Sequence, residues 1–226
     1  MLAQDNLDFL KSLLPFWGHL SGQEAGTIST NTNLHFYSQG QNVHSAGNEC
    51  VGVLIVKSGE LRTYILSQEG KTVTLYRLGP GEVCILSAPC LLSNITFDVF
   101  IDAEQDTEVL LINSSVFSKL MGTNVYIENF ALRQAADRFS DVMWAMEQIL
   151  FMKFDSRLAV FLLDEISATE ENTVPLTHEQ IAKYMGSARE VVSRMLKRFS
   201  EDGIVKLYRG GVKVIDKGRL RELSRL

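Results

Sequence analysis

The sequence predicts an α+β protein in which a strand-rich N-terminal part is joined by a long helix to a small, mostly helical C-terminal part. Three observations lead to this expectation. Short β-like runs separated by glycines fill residues 31–112, a helical pattern runs from about 114 to 151, and two closely spaced helix starts precede a hairpin pattern near the C-terminus. With 226 residues, the chain is long enough for one or two domains.

The first twenty residues, MLAQDNLDFLKSLLPFWGHL, predict one amphipathic helix with four leucines on one side. The segment lacks a basic stretch followed by an unbroken apolar core, so it does not resemble a secretory signal. No run of eighteen apolar residues occurs, which argues against a membrane span. The three cysteines are few and odd in number, which fits a reducing compartment. We therefore expect a cytoplasmic protein that is not a disulfide scaffold.

The strand-rich part contains the runs LHFYSQG, CVGVLIVKSG, ELRTYILSQEG, KTVTLYRLGPG and TEVLLI. The alternation along residues 61–66 is typical of a half-buried strand, and turn signals recur about every ten residues, which favours a sandwich or barrel. The helical pattern that comes next divides at Gly122. Its second part is too apolar for a solitary helix, so we expect either a partner helix in a dimer or packing against its own β-domain.

The C-terminal third begins with Asp155, which has the chemistry of an N-cap, and continues into ISATEENTVP, a predicted linker. Within THEQIAKYMGSAREVVSRMLKRF, Thr177 with Gln180 and Ser187 with Glu190 each match a capping box, and Gly186 lies between them. The segment VKLYRGGVKVI then has hairpin chemistry. Together these signals predict a winged helix-turn-helix.

Charge is unevenly distributed along this acidic chain. Residues 177–226 hold 12 Lys/Arg and 6 Asp/Glu, a net charge of +6, whereas residues 1–176 carry −11. This segregation favours a polyanion-binding module at the C-terminal end over an ordinary solvated surface.

The second predicted helix has an apolar stripe and an opposite polar face that suits DNA reading. Arginine can make two hydrogen bonds to guanine, and a glutamate can accept one from cytosine. Glu190 would serve either as the capping residue or as this base contact. We expect DNA contacts from the following residues: Arg189, Glu190, Ser193, Arg194, Lys197, Arg198, Arg209 and Thr177. Among them, Lys197, Arg198 and Arg209 are the candidates for phosphate contacts.

The segment GSAREVVSRMLKRF resembles the recognition helix of the CRP/FNR family of bacterial transcription regulators. The likeness covers nearly the whole chain, because the glycine spacing in FYSQGQ, IVKSGELRTY and LYRLGPGE is similar to the family's cyclic-nucleotide-binding β-roll, a double-stranded β-helix. It implies an effector domain at 1–124, a dimerisation helix at 125–152 and a winged helix-turn-helix domain at 153–226. It further implies a homodimer, RNA polymerase as a partner, and an inverted DNA repeat with TGA-containing half-sites.

The same resemblance locates an effector pocket, for which we expect these residues: Gly81, Glu82, Val83, Cys84, Ile85, Cys90, Phe97, Val142 and Met143. Phe97-Asp98 stands where the cyclic-AMP receptor branch has an Arg-Ser phosphate anchor, and no other anchor is evident nearby. Val142 and Met143 replace a Thr-Ser pair that would grip adenine. We therefore expect an effector other than cyclic AMP, such as a small apolar molecule or a redox signal.

No cysteine precedes Cys50, so the family's N-terminal iron–sulfur cluster is not expected. Cys84 and Cys90 allow a thiol redox switch, a haem or metal ligand, or plain core packing, and the cofactor stays unknown. The histidines match no zinc spacing. Enzyme motifs are missing, although the β-roll also resembles metal-binding cupins, and a ligand-binding scaffold without DNA targets is a further alternative.

Overall fold

The computed structural model describes residues 2–45, 50–85, 87, 99–169 and 171–224. Their contacts divide the chain into two compact units, one formed by Met1–Ile65 with Leu75–Val142, the other by Leu66–Thr74 with Met143–Leu226. Each unit has a hydrophobic core of its own. The division falls inside the long helix, so the predicted three-domain boundaries stay a prediction.

The first unit starts with two short helices instead of the single helix expected over the first twenty residues. Helix α1 (Gln4–Leu13) ends before Pro15, and a 3-10 turn (Trp17–His19) comes after it. Proline has no N–H to donate and its ring disfavours a helical preceding residue, which explains the break. Helix α2 (Gly22–Thr30) starts at a capping box in which Ser21 and Glu24 bond each other's backbone N–H.

Among the described residues, eight strands in two antiparallel sheets form the body of the first unit. They are β1 (Thr32–Tyr37), β2 (Asn42–His44), β3 (Val53–Ser58), β4 (Leu61–Leu66), β5 (Thr72–Leu78), β6 (Val83–Cys84), β7 (Phe100–Ala103) and β8 (Thr107–Ile112). One sheet has the order β1-β8-β3-β6 and the other β2-β7-β4-β5. Two facing sheets bury the inward side chains of both, as in the predicted β-roll.

Strand β4 differs from the half-buried strand that its alternation predicts. Its first four residues are all buried, including Arg62, which is 0% exposed. The Arg62 guanidinium lies 4.4 Å from the ring centroid of Tyr64 and 4.0 Å from a carboxylate oxygen of Glu104. A buried arginine is tolerated because an ion pair and an aromatic face replace water around it.

Helices α3 (Ser114–Met121) and α4 (Val125–Phe151) confirm the predicted division at Gly122, which caps α3. The N-terminal part of α4 packs into the first unit through Ile127, Phe130 and Ala131. Farther along, α4 exposes large apolar side chains: Phe139, Met143, Trp144, Met146, Ile149, Leu150 and Phe151. Packing on the β-domain therefore accounts for one part of the helix and leaves the other part uncovered in the single chain.

The second unit contains α5 (Phe154–Thr169), β9 (Thr173–Val174), α6 (His178–Met185), α7 (Arg189–Glu201), β10 (Val205–Tyr208), β11 (Gly211–Val214) and α8 (Lys217–Leu223). Two expectations were wrong here. Asp155 lies inside α5, not at its N-cap, and the predicted linker contributes the last turn of α5 and then β9. Because β9 pairs with β11, the polar segment joins the wing as a third strand.

The tip of the β4–β5 hairpin groups with the second unit. The Thr72 hydroxyl donates a hydrogen bond of 3.3 Å to the Lys183 carbonyl at the end of α6. Gly186 lies against the same tip, since an added Cβ would be 3.1 Å from the Thr72 carbonyl oxygen and from Val73 Cγ2. Among the described helices, none is long and apolar enough to cross a bilayer.

Candidate nucleic-acid interface and sensor site

The first helix of the helix-turn-helix starts at the predicted capping box. The Thr177 hydroxyl accepts from the Gln180 N–H at 3.2 Å, and Gln180 Oε1 accepts from the Thr177 N–H at 2.8 Å. Gly186 ends this helix in the left-handed region (φ +60°), and the Ser187 N–H closes the turn on the Ala182 carbonyl at 3.0 Å. This is the geometry in which glycine is favoured after a helix.

The second predicted capping box is wrong. Helix α7 has Ala188 as its N-cap, without any side-chain capping bond, so Ser187 lies before the N-cap and Glu190 is at N2 instead of at N3, the position of the reciprocal partner. The left-handed residue at Gly186 turns the chain so that regular helix begins only at Arg189. As a consequence, the Glu190 carboxylate is not used for capping, and this removes the competition between its two expected roles.

The polar face of α7 brings most of the predicted DNA contacts together. Five side chains line one open depression of about 440 Å³: Arg189, Glu190, Ser193, Arg194 and Lys197. The opposite face is anchored by Val192, Leu196 and Phe199, each at most 1% exposed. The helix therefore has a fixed roll angle, with its polar face toward solvent.

The remaining predicted phosphate contacts are Arg198, next to Lys197 on α7, and Arg209 in the wing. Lys197 and Arg198 form exposed ion pairs one turn on, with Glu201 at 3.8 Å and with Asp202 at 3.9 Å. Exposed ion pairs of this kind contribute little stability, so each basic side chain can readily leave its carboxylate and bind another anion. Arg209 lies in the turn of the wing, where Gly210 has a φ of +89°.

Arg157 supports the helix-turn-helix from α5. Its Nη2 donates a 2.7 Å hydrogen bond to the Met185 carbonyl, one of the last carbonyls of α6. Desolvation by burial lowers the pKa of Arg157, although arginine stays charged at any physiological pH. A cation at a helix C-terminus is electrostatically favourable, so this contact orients α6. Arg157 has no distinguishing signal in the sequence, because only its place in the fold reveals the bond.

The predicted sensor residues lie around β6. Val83, Cys84 and Ile85 are buried in the first core, and Val142 packs against the same core from α4. Met143 is 45% exposed and belongs to the second unit. Cys90 and Phe97 lie outside the described residues, and so does Asp98.

One arginine, Arg138, lies beside the predicted sensor residue Glu82. The Arg138 side chain, on α4 one turn before Val142, is only 12% exposed. Its guanidinium carbon lies 4.9 Å from the ring centroid of Tyr76, which is itself buried. Nη1 donates to Asp141 at 2.8 Å, and Nη2 lies 3.6 Å from Glu82 Oε1. The signal in the sequence was an arginine within the apolar pattern of α4.

Burial governs the ionisation of the groups around Arg138. Desolvation raises the pKa of Asp141, with Arg138 acting in the opposite direction. Desolvation also raises the pKa of Tyr76 well above its ordinary value, so its hydroxyl stays protonated.

Cysteine and histidine positions narrow the cofactor alternatives. Cys50 is disulfide-bonded, which the small and odd number of cysteines did not indicate. Cys84 is a fully buried thiol in the core, as the packing alternative predicts. His19 stacks on Tyr126 at 3.9 Å, and His35 stacks near Tyr37. Among the described residues, no group of three or more His, Cys, Asp or Glu side chains is arranged to hold a metal ion.

Known proteins share both the fold and the domain content. Two family models match, the cyclic nucleotide-binding domain over residues 34–124 and the Crp-like helix-turn-helix domain over residues 156–223. A solved structure from Eubacterium rectale, assigned to the crp/fnr family of transcriptional regulators, is 42% identical, with a TM-score of 0.91 and coverage of 95% of this chain and 100% of that one.

Among curated proteins, the cyclic AMP receptor protein of Thermus thermophilus is 25% identical over 210 residues, covering 93% of this chain and 96% of its own length. The members found by these comparisons are transcription regulators, not enzymes. The predicted fold class, a cyclic-nucleotide-binding-like β-domain followed by a C-terminal helix-turn-helix, is thereby confirmed. This chain belongs to the CRP/FNR family of transcription regulators.

Proposed function

We propose that the protein is a homodimeric, sequence-specific regulator that binds an inverted DNA repeat with TGA and TCA arms. The observation that carries this proposal is the exposed polar face of α7, where Glu190 and Arg194 lie in one depression and Glu190 has no capping role. Arg194 is assigned to the O6 and N7 of guanine, and Glu190 to the N4 amine of cytosine.

Phosphate contacts would add affinity without adding sequence information. Lys197, Arg198 and Arg209 are exposed beside the reading face, and the ion pairs of the first two are weak enough to exchange for phosphates. The net charge of +6 on residues 177–226 supports binding of a polyanion.

The exposed apolar residues of α4 support a subunit interface along this helix. Phe139 is 66% exposed, Leu150 65% and Phe151 76%, which is unusual for large hydrophobic side chains on one continuous element. Pairing of two such helices would bury them and relate two recognition helices by a two-fold axis. Those helices would then read half-sites about 34 Å apart on one face of the duplex. RNA polymerase is the further partner that family membership suggests.

The effector is proposed to differ from cyclic AMP. The carboxylates of Glu82 and Asp141 flank Arg138, and Val142 offers no hydroxyl to an adenine. Calorimetry with cyclic AMP tests this directly. A dissociation constant at or below about 10 μM, roughly −7 kcal/mol, would contradict the proposal.

Selection of binding sites from random DNA tests the assignment of the α7 face. We expect an inverted repeat containing TGA. Arg194→Ala should cost about 1–3 kcal/mol per half-site and relax the preference at the guanine. Lys197→Ala should weaken all sequences about equally and reduce the salt slope by about one unit per site. Lys119→Ala on α3 is the control for loss of one exposed positive charge, and it should change neither property.

Three outcomes would refute the proposal. One is a selected motif without TGA, and another is an unchanged base preference in Arg194→Ala. The third is no binding to any DNA at moderate salt, which would favour the ligand-binding scaffold.

A further inference from the structure

Five polar side chains meet inside the first unit and form what we name the polar cluster: Thr63 on β4, Tyr76 on β5, Glu82 before β6, and Arg138 and Asp141 on α4. Any role of the polar cluster in sensing rests on the proposed function, because it concerns the signal to which this regulator would respond.

Three buried atoms of the polar cluster make no hydrogen bond to any residue that the structure describes. They are Thr63 Oγ1, the Tyr76 hydroxyl and Arg138 Nε. The Tyr76 hydroxyl lies within reach of the Thr63 and Cys84 side chains, and both of these contacts act on its pKa, as does the charge of Arg138. Of the three atoms, Arg138 Nε is the donor without such a contact. A buried polar atom without a partner typically costs about 1–3 kcal/mol, so this donor indicates a ligand that supplies the missing acceptor.

The guanidinium of Arg138 has one edge available for such a ligand. Its Nη1 is engaged by Asp141 at 2.8 Å. Its Nη2 is 3.6 Å from Glu82 Oε1, which is beyond hydrogen-bond distance, and Nε bonds no described residue. The Nε–Nη2 edge is thus a planar pair of donors that no described acceptor engages. Carboxylates and phosphates bind such an edge through two parallel hydrogen bonds.

We propose that this edge binds the carboxylate of a small monoacid effector, with the Tyr76 and Thr63 hydroxyls as additional donors. Glu82 is the present counter-ion, is 45% exposed, and is held through its other oxygen by the Gly79 N–H at 2.8 Å. Because it is exposed, the Glu82 side chain can turn toward water and let another anion bind beside Arg138. Exchange of one carboxylate for another leaves the net charge around the guanidinium unchanged, whereas a phosphate dianion would make it more negative.

The body of the effector should be apolar. Thr63 shares its strand face with Leu61 and Tyr76 shares its face with Leu78, and both leucines are 0% exposed. A ligand whose carboxylate reaches Arg138 would therefore lie among hydrocarbon side chains. Probe acids of different size and shape test the dimensions of the effector, because residues 88–98 lie outside the described part of the chain.

Titration calorimetry on the full chain tests the proposal with butyrate, benzoate and phenylacetate, each beside its neutral primary amide. At least one acid should bind at least about tenfold more tightly than its amide, because a charged hydrogen bond is lost in the amide. Arg138→Gln and Tyr76→Phe should weaken that acid about tenfold or more. Glu82→Gln should tighten it about two- to fivefold by removing the competing anion. Arg133→Gln, an exposed arginine on the same helix, is the control and should change nothing.

Three results would overturn the proposal: no binding of any of the three acids, binding that Arg138→Gln and Tyr76→Phe leave unchanged, or Arg138-dependent binding of cyclic AMP without binding of the acids. Tyr76→Phe keeps the ring and guards against a folding defect in Arg138→Gln. The measurement needs no DNA. Acid binding without any DNA binding would therefore contradict the proposed function alone, whereas DNA binding without acid binding would contradict this inference alone.

Discussion

Gly186→Ala probes the contact between the helix-turn-helix and the β4–β5 hairpin. Gly186 has a φ of +60°, and a new Cβ would meet the Thr72 carbonyl oxygen and Val73 Cγ2 at 3.1 Å. Both distances are shorter than ordinary van der Waals contact, so the hairpin tip would have to give way by a few tenths of an ångström. We expect this shift to disrupt the hydrogen bond from the Thr72 hydroxyl to Lys183, which is already 3.3 Å long.

The expected cost has two parts. A non-glycine residue in the left-handed region lowers the free energy of unfolding by about 1–2 kcal/mol. Alanine also makes the unfolded chain stiffer, and this offsets about 0.4–1 kcal/mol of that loss. Loss of the Thr72 hydrogen bond adds about 1 kcal/mol. We therefore expect Gly186→Ala to lower the free energy of unfolding of the second unit by about 2 kcal/mol.

Gly203→Ala is the matched control in the same unit. Gly203 also has a left-handed φ, +73°, but no described atom lies within 4 Å of its added Cβ. It should show only the backbone part, about 1 kcal/mol or less. Urea denaturation, with hydrogen exchange of the α6 and α7 amides, measures both variants. Equal losses in the two variants would refute the contact with the hairpin.

Three other predictions concern the contact of Arg157 with α6, the oligomeric state of the protein and the pH dependence of its stability. Arg157→Met removes the bond to the Met185 carbonyl and should lower the free energy of unfolding by about 1–3 kcal/mol in urea titrations, while Arg133→Met should have almost no effect. Met146→Glu places a charge on the exposed apolar part of α4 and should shift sedimentation from about twice the chain mass toward a monomer; a wild-type monomer that binds DNA would contradict the dimer. Burial, with a smaller effect from Arg189, lowers the pKa of His178 below its ordinary value of 6.5. The unfolded chain therefore takes up the proton first, so stability should fall as the pH drops below about 6.5, and His178→Gln should flatten that part of the profile.

Local chemistry allowed much of the second unit to be predicted. The Thr177–Gln180 capping box, the apolar stripe of α7 and the glycine-centred wing depend on residues within a few positions of each other, so a pattern in the sequence suffices. The Ser187–Glu190 box failed for a geometric reason. One left-handed residue shifts the start of α7, and a short pattern does not specify such a shift.

Long-range geometry explains the features that the sequence did not reveal. Thr63, Tyr76 and Arg138 come from three elements, and only the packing of α4 on the β-strands brings them together. The alternation along β4 predicted a half-buried strand, but its first four residues, Arg62 included, are all buried. The family resemblance pointed to Val142 and Met143, about one helical turn beyond Arg138.

Strand β5 has a mechanical consequence because it belongs to both units. It begins at Thr72, which bonds the end of α6, and four residues later it carries Tyr76 of the polar cluster. An extended strand is stiff along its length and rises about 3.3 Å per residue, so Thr72 and Tyr76 are about 13 Å apart along the backbone of one strand. A lengthwise displacement of β5 at Tyr76 would therefore reach Thr72 through the backbone alone, and the hydrogen bond from the Thr72 hydroxyl would pass it to the end of α6, just before the turn that leads into the recognition helix.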